Sequence, residues 1–149
     1  MNLRTATAAD VVTVLGFWAS AAEGAHRPPD SALAVERLIA RDPEALMLAF
    51  DESVLVGTVI AGWDGWRCHL YRLAVAQSRR GEGIARLLIE AAERRFQRLG
   101  GIRADAMVLD DNGPAHYAWQ ALGYQPQAEW SRWIKPLARG ECPHVRYLM

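Results

Sequence analysis

Apolar residues recur at three- and four-residue steps from Ile84 through Leu87, Leu88, Ala91, Ala92 and Phe96 to Leu99, which predicts a long amphipathic helix. The chain before it changes period: Leu73-Ala74-Val75 closes an apolar strand, and a short polar turn with two glycines follows. Nearer the N-terminus, Asn2 to Thr7 predicts a first strand. Thr7, with Asp10 three residues on, is a capping pair that opens a helix presenting Val11, Leu15, Trp18 and Ala22. Glu23 to Pro29 reads as a loop, and a second helix is expected from about Ser31 to Arg41, stopped by Asp42-Pro43. Ala45 to Phe50 and Val54 to Trp63 read as a hairpin around Asp51-Glu52-Ser53, and Asp64-Gly65 turns the chain into a strand from about Arg67 to Val75. Beyond the long helix, Ile102 to Val108 predicts a fifth strand, and Pro114 fits the first turn of another helix. Tyr124 onward is expected to hold the last strands, including Glu129 to Lys135, whereas Arg139 to Met149 has no readable pattern. The order β-α-α-β-β-β-α-β-α-β predicts one α/β domain over residues 1–149, built on a mixed sheet rather than a doubly wound one.

Composition narrows the classes. At 149 residues and 51% hydrophobic, the chain has material for one sizeable core. Its formal charge is zero, so bulk electrostatics give no reason to expect a nucleic-acid partner. No apolar run reaches spanning length and the start lacks a signal-peptide pattern, so no membrane association is expected. Cys68 and Cys142 lack metal-site spacing, and a reduced, cytoplasmic setting without a metal is the expectation.

The start of the long helix carries the chemistry. Unpaired N–H groups and the macrodipole favour an anion there, and Gly81 and Gly83 allow one to approach the backbone closely. Arg79, Arg80 and Arg86 flank the turn, which suits a phosphate or pyrophosphate; a plain tight turn is the competing reading. Two common phosphate loops are excluded. Gly83 is followed by Ile84-Ala85 instead of Lys-Ser/Thr, and Arg86 stands where a dinucleotide fingerprint needs a small residue.

Arg80-Gly81-Glu82-Gly83-Ile84-Ala85 resembles the Arg/Gln-x-x-Gly-x-Gly/Ala motif of the GCN5-related N-acetyltransferase family, with Arg80, Gly83 and Ala85 in the required places. Leu73-Ala74-Val75 is similar to the family's splayed fourth strand. A second signature, from Asn112 to Tyr124, resembles the family's Asn-x-x-Ala…Tyr…Leu-Gly-Phe/Tyr segment, with Asn112, Ala115, Leu122, Gly123 and Tyr124 in register. The likeness covers Asn2 to about Leu137. It implies the family's mixed sheet, splayed between strands four and five and flanked by helices. It also implies an acetyl-coenzyme A-dependent N-acetyltransferase. Main-chain groups of Leu73 and Val75 would hold the pantetheine arm, and those of Arg80, Gly81, Glu82, Gly83, Ile84 and Ala85 the pyrophosphate. An N–H near Leu73 or Ala74 would polarise the thioester carbonyl. Asn112 would contact the cofactor or order its helix, and it also reads as a plain N-cap.

By the same resemblance, the acceptor amine attacks directly, through a tetrahedral intermediate. Many members place a general-acid tyrosine seven residues after the motif asparagine; this chain has Trp119, whose indole N–H donates a hydrogen bond but is no acid at neutral pH. His116 is one turn before Trp119, and Tyr117 is turned away from it. Ribosomal-protein N-terminal acetyltransferases of the family carry a glutamate where this chain has Met107. Histone-type members place a glutamate on strand four, where His69 aligns if the strand has no bulge before Leu73. Alternation then puts His69, Tyr71 and Leu73 on one face. A histidine suits the role of base, with Tyr71 as a relay; partly buried packing residues are the alternative for both.

For the acceptor, family positions supply Glu23, His26, Arg27 and Asp30, then Trp63, Asp64 and Trp66, then Glu129, Trp130, Arg132 and Trp133. Carboxylates and tryptophans suit a cationic amine, while tryptophans packing the core edges are the plainer reading. A primary amine of a small molecule is the first expectation for the acceptor. A peptide or protein amine, or a non-catalytic acyl-coenzyme A binding or sensing module, is the alternative. Homodimers are common in the family.

Overall fold

The computed structural model describes residues 1–22, 24 and 26–137. A five-stranded sheet runs in the order β1 (Asn2–Thr5), β2 (Leu46–Asp51), β3 (Val54–Trp63), β4 (Cys68–Val75) and β5 (Ala104–Ala106). The first four strands are antiparallel neighbours, and β5 lies parallel to β4. This is the mixed α/β sheet expected from the sequence.

The capping pair forms as predicted. The Thr7 N–H donates to Asp10 Oδ2 at 2.7 Å, and a 3-10 turn over Ala8–Asp10 leads into α1 (Val11–Ala21). Ser31 caps α2 (Ala32–Arg41) by accepting from the Ala34 N–H at 3.1 Å. Both helices pack on one sheet face, where Val14, Trp18 and Val35 meet Leu46, Leu48 and Ile60. The opposite face takes α3 (Ile84–Arg98) through Ile84, Leu88, Ile89, Ala92 and Phe96, against Met47, Val56, Val59 and Leu70. Trp119, on α4 (Gly113–Ala121), packs against that second cluster, as does Leu122 just after the helix. Burial of Arg95 on α3 is compensated by both Asp42 carboxylate oxygens, at 2.7 and 2.6 Å, and by the Ala61 carbonyl. That pair ties the end of α2 to the last turn of α3.

Two expectations differ from the structure. The fifth strand shortens from Ile102–Val108 to Ala104–Ala106, because Ile102 is fully exposed and ladder partners on β4 end at Leu70. Glu129 to Lys135 is not a strand. Residues 125–137 are exposed and pair with no strand of the sheet among the described residues, and prolines flank the segment at 126 and 136. The expectation for residues 139–149 falls outside the described residues. No helix among the described residues is long and apolar enough to cross a membrane.

The Arg4 guanidinium, aided by the Thr7 N–H, holds the buried Asp10 carboxyl at about 2, against about 3.9 for a free aspartate. Stability from a depressed carboxylate is complete above the unfolded value and is lost as pH falls through the folded one. With Arg4 partly exposed, we expect wild type to exceed Asp10→Asn by about 1–2 kcal/mol near pH 6. That difference should shrink from about pH 4 to about pH 2, as measured by urea unfolding across that range.

Candidate functional site

Strand β4 outruns its parallel partner. Pairing with β5 ends at Leu70↔Ala106, while β4 continues to Val75. Just beyond β4, the Ala76 N–H donates to the Val56 carbonyl at 2.9 Å, so even-numbered residues of this stretch address β3. By alternation, the main-chain N–H and C=O of Leu73 and Val75 face the edge that β5 has left.

A bulge interrupts β4 at this point. Thr58 pairs with Ala74 and Ile60 with Tyr71, so Arg72 and Leu73 together oppose Val59. Arg72 adopts φ +53°, a left-handed conformation rare for a side-chain-bearing residue. The extra residue reverses the side-chain parity of the strand. Cys68 and Leu70 join the α3 cluster, and so do Leu73 and Val75, whereas Ala74 joins the α1–α2 cluster. His69 and Tyr71 therefore stand on the α1–α2 face and Leu73 on the other, which corrects the single shared face expected from unbroken alternation. It also removes the alignment of His69 with the histone-type glutamate, which required a strand without a bulge.

His69 Nδ1 bonds the carboxylate of Asp105, its register partner on β5, and the His69 and Tyr71 rings lie 5.4 Å apart. An Nδ1–H given to a carboxylate leaves Nε2 of the neutral ring with its lone pair. Burial raises the Tyr71 phenol above its ordinary value, with the nearby Asp42 carboxylate adding to the shift. The Tyr71 ring rests against Gly62, where a Cβ would stand 3.0 Å from Cε1. Asp30, in the α1–α2 loop, pairs with the buried Arg72 guanidinium, which lies 4.9 Å over the Trp18 ring. Asp64 is committed to its turn, accepting from the Trp66 and Arg67 N–H groups at 2.8 and 2.7 Å. Trp66, Trp130 and Trp133 are 75–92% exposed and do not pack the core edges; Trp63 does. His26, Arg27, Glu129 and Arg132 are not drawn into this group, apart from Arg27 at 3.7 Å from Asp30, and Glu23 lies outside the described residues.

On the α3 face, Gly81 and Gly83 both take φ +82°, and Gly83 caps the helix. A Cβ at either would meet nothing within 4 Å, so open space lies over the turn. Arg79 is occupied with structure, bridging Asp51 at 2.8 Å and Glu82 at 2.6 Å. Arg86 donates to the Ala121 carbonyl at 3.0 Å and closes the end of α4. Arg80 is exposed, and no side-chain bond engages it among the described residues. Of the three arginines it is the one left for an anion.

Asn112 caps α4, its side chain accepting from the Ala115 N–H at 3.2 Å. Trp119 lies edge-on to Tyr124, with ring centroids 5.0 Å apart. The Tyr124 hydroxyl donates to Glu93 at 2.9 Å; burial, with that bond, pushes its ionisation far upward. His116 Nε2–H donates to the Leu109 carbonyl at 2.8 Å, and Tyr117 is exposed. The structure thus brings Leu73, Val75 and Trp119 to one face with α3, and gathers His69 and Tyr71 on the other. Among the described residues, no group of three or more His, Cys, Asp and Glu side chains could hold a metal ion.

The sequence profile of the Acetyltransferase (GNAT) family matches residues 15–124. An acetyltransferase of Yersinia pestis (strain Pestoides F) is 33% identical over 98 residues, 66% of this chain and 70% of that protein. Among solved structures, Ard1 from Thermoplasma volcanium superposes with a TM-score of 0.74 at 16% identity, covering 85% of this chain and 84% of that one. AAC(6')-Iy, in complex with the bisubstrate analogue CoA-S-monomethyl-acetylneamine, gives a TM-score of 0.72 at 20% identity over 91% of this chain and 97% of its own.

Sequence reasoning missed Asp105, Thr58 and Gly57. Asp105 carried a signal, a lone carboxylate between two alanines in a predicted strand. Gly57 lets α3 sit directly on β3: a Cβ there would stand 2.7 Å from Ile84 Cγ2 and 2.9 Å from Leu88 Cδ1. Ile84 is branched at Cβ and cannot swing aside. Gly57→Ala should therefore lower stability by about 1–3 kcal/mol, read as a fall in Tm, by lifting the first turn of α3 off the sheet.

Proposed function

The chain belongs to the acetyltransferase (GNAT) family, and from that membership we propose that it acetylates a primary amine of a small molecule by direct attack on acetyl-coenzyme A. It is an acetyl-coenzyme A-dependent N-acetyltransferase; the acceptor and the roles of its residues are our reading. The observation that carries this reading is the conjunction on β4 and α3. One strand offers unpartnered main-chain groups at Leu73 and Val75, and the following turn offers an open glycine cradle.

The main chain of Leu73 and Val75 holds the pantetheine arm along the open edge of β4, much as an added strand would lie. The N–H groups from Gly81 to Ala85 and the Arg80 side chain hold the pyrophosphate. The Leu73 N–H, on the open edge, polarises the thioester carbonyl. Asn112 keeps α4 in place beside this arm, and Trp119 walls it. The amine comes from the α1–α2 face, where His69 Nε2, oriented by Asp105, takes its proton. An alkylammonium has a pKa of about 10.4, so that proton must leave before the nitrogen can attack. Tyr71, kept protonated, relays or anchors. The freed nitrogen attacks the thioester carbon, forming the C–N bond. The adduct's nitrogen gives its extra proton to solvent as the C–S bond breaks. The thiolate takes one proton from solvent, because an indole has none to give at neutral pH.

Thiol release from acetyl-coenzyme A is measured across aminoglycosides, polyamines, other amines and short peptides. Acceptor-dependent release with a small amine is the expected result. Release with peptides alone favours the protein-amine reading, and tight cofactor binding without release for any acceptor favours the binding module. Gly83→Trp fills the cradle and should abolish coenzyme A binding in calorimetry; unchanged affinity would contradict the assignment. His69→Gln should lower kcat by about 10²-fold while leaving coenzyme A affinity unchanged.

A further inference from the structure

We propose that Thr58 is a positioning residue for acetyl transfer, its buried hydroxyl aiming the Leu73 N–H at the thioester carbonyl. The inference rests on the reading above and adds to it a residue outside the cofactor motif. Thr58 is fully buried in the middle of β3, on the α1–α2 face. Its hydroxyl accepts from Trp18 Nε1 at 2.9 Å and donates to the Arg72 carbonyl at 2.9 Å. With its one proton committed to Arg72 and a lone pair filled by Trp18, the hydroxyl has a single orientation.

The consequence follows from peptide geometry. The Arg72 C=O and the Leu73 N–H belong to one planar unit, and in a trans peptide they point in opposite directions. A hydroxyl that holds the carbonyl toward β3 therefore holds the N–H toward the open edge vacated by β5. The bulge removes the backbone partner that Arg72 would have on β3, because Val59, opposite it, is paired toward Met47 on β2. The Thr58 hydroxyl stands in for that partner. It also supports a residue at φ +53°, a conformation that costs about 1–2 kcal/mol when it bears a side chain. The Trp18 indole serves twice, orienting Thr58 through its N–H and receiving the Arg72 guanidinium on its face. A fixed dipole aimed at developing charge needs no reorganisation during reaction, which is why its orientation matters.

Thr58→Val keeps the shape and removes the hydroxyl, Thr58→Ser keeps the hydroxyl, and Trp18→Phe keeps the ring and removes its N–H. We expect Thr58→Val to lower kcat about 10- to 100-fold with coenzyme A affinity within about three-fold of wild type, and Thr58→Ser to restore kcat to within about three-fold. Trp18→Phe should give an intermediate loss and serves alone if Thr58→Val does not fold. Assays are run at least 10 °C below each variant's Tm. A readout independent of the acceptor is the Leu73 amide resonance in 15N-labelled protein. In wild type it should shift further with acetyl-coenzyme A than with coenzyme A, and in Thr58→Val that difference should vanish. Thr58→Val with wild-type kcat, Thr58→Ser no better than Thr58→Val, or no acetyl-specific shift at Leu73 overturns the proposal. Failure of wild type to bind acetyl-coenzyme A at all overturns instead the function on which it rests.

Discussion

One extra residue in β4 sets the plan of this molecule. With Arg72 and Leu73 facing the single Val59, the strand reverses its inward and outward sides halfway along. Below the bulge, Leu70 serves the α3 face and Tyr71 the other; above it, Leu73 and Val75 serve α3 and Ala74 the other. β5 stops pairing at Leu70, two residues before the bulge, so the change of parity lies beside the opening of the sheet. Holding a non-glycine residue at φ +53° has a cost, and three restraints on Arg72 offset it: the Thr58 hydroxyl on its carbonyl, the Trp18 face under its guanidinium, and the Asp30 carboxylate. The strain persists because α1, the α1–α2 loop and β3 all hold it in place.

A second constraint keeps the start of α3 where the open strand can use it. Gly57 gives the helix its close seat, and the Arg95–Asp42 pair anchors its far half. Arg79 ties Glu82 of the glycine turn to Asp51 at the end of β2, while Arg86 fastens the first turn of α3 to α4. Three arginines near one helix start suggested a shared anion-binding role. Their bonds divide the work instead, with two fixing the turn and Arg80 left exposed. A charge count cannot make that division, since it depends on which carboxylates and carbonyls the fold brings within reach.

Most of the frame was legible in the chain. The period of α3, the Thr7–Asp10 capping pair, the second helix from about Ser31 to Arg41 and the strand Val54–Trp63 all stand where pattern and turn chemistry placed them. The glycine turn was legible because positive φ has a residue signature. The bulge was not, since a left-handed arginine has none: Arg72 takes that conformation through contacts with residues 14 and 42 positions away. The error over Leu73 follows directly, because alternation carried through an unseen bulge puts every later side chain on the wrong face. Glu129 to Lys135 failed for another reason. Its aromatic and branched residues have strand propensity, but a strand also needs a neighbouring edge, and sequence pattern does not report one. Asp105 was visible as a residue and invisible as a partner, because its register against His69 exists only once β5 is laid parallel to β4.

The substitution at position 119 fits the demands of the reaction better than the lost tyrosine first suggests. Acyl transfer from a thioester to an ammonium takes two protons off nitrogen, one before attack and one from the tetrahedral adduct, and puts one onto sulfur. These demands are unequal. An alkylammonium with a pKa of about 10.4 is almost wholly protonated near neutral pH and cannot attack, so its deprotonation needs an organised base. A thiol with a pKa of about 8.5 is a fair leaving group even as its anion, and water can return its proton later. In the proposed mechanism the first demand falls to His69. His69 has a carboxylate on Nδ1 and an aromatic ring beside it. On the sulfur side, Trp119 gives a wall, and the nearby Tyr124 phenol is bound to Glu93 with its ionisation pushed up, which makes it a poor acid. The proposed assignment of His69 as base, with solvent returning the thiol proton, suits a reaction whose difficulty lies in freeing the nitrogen lone pair.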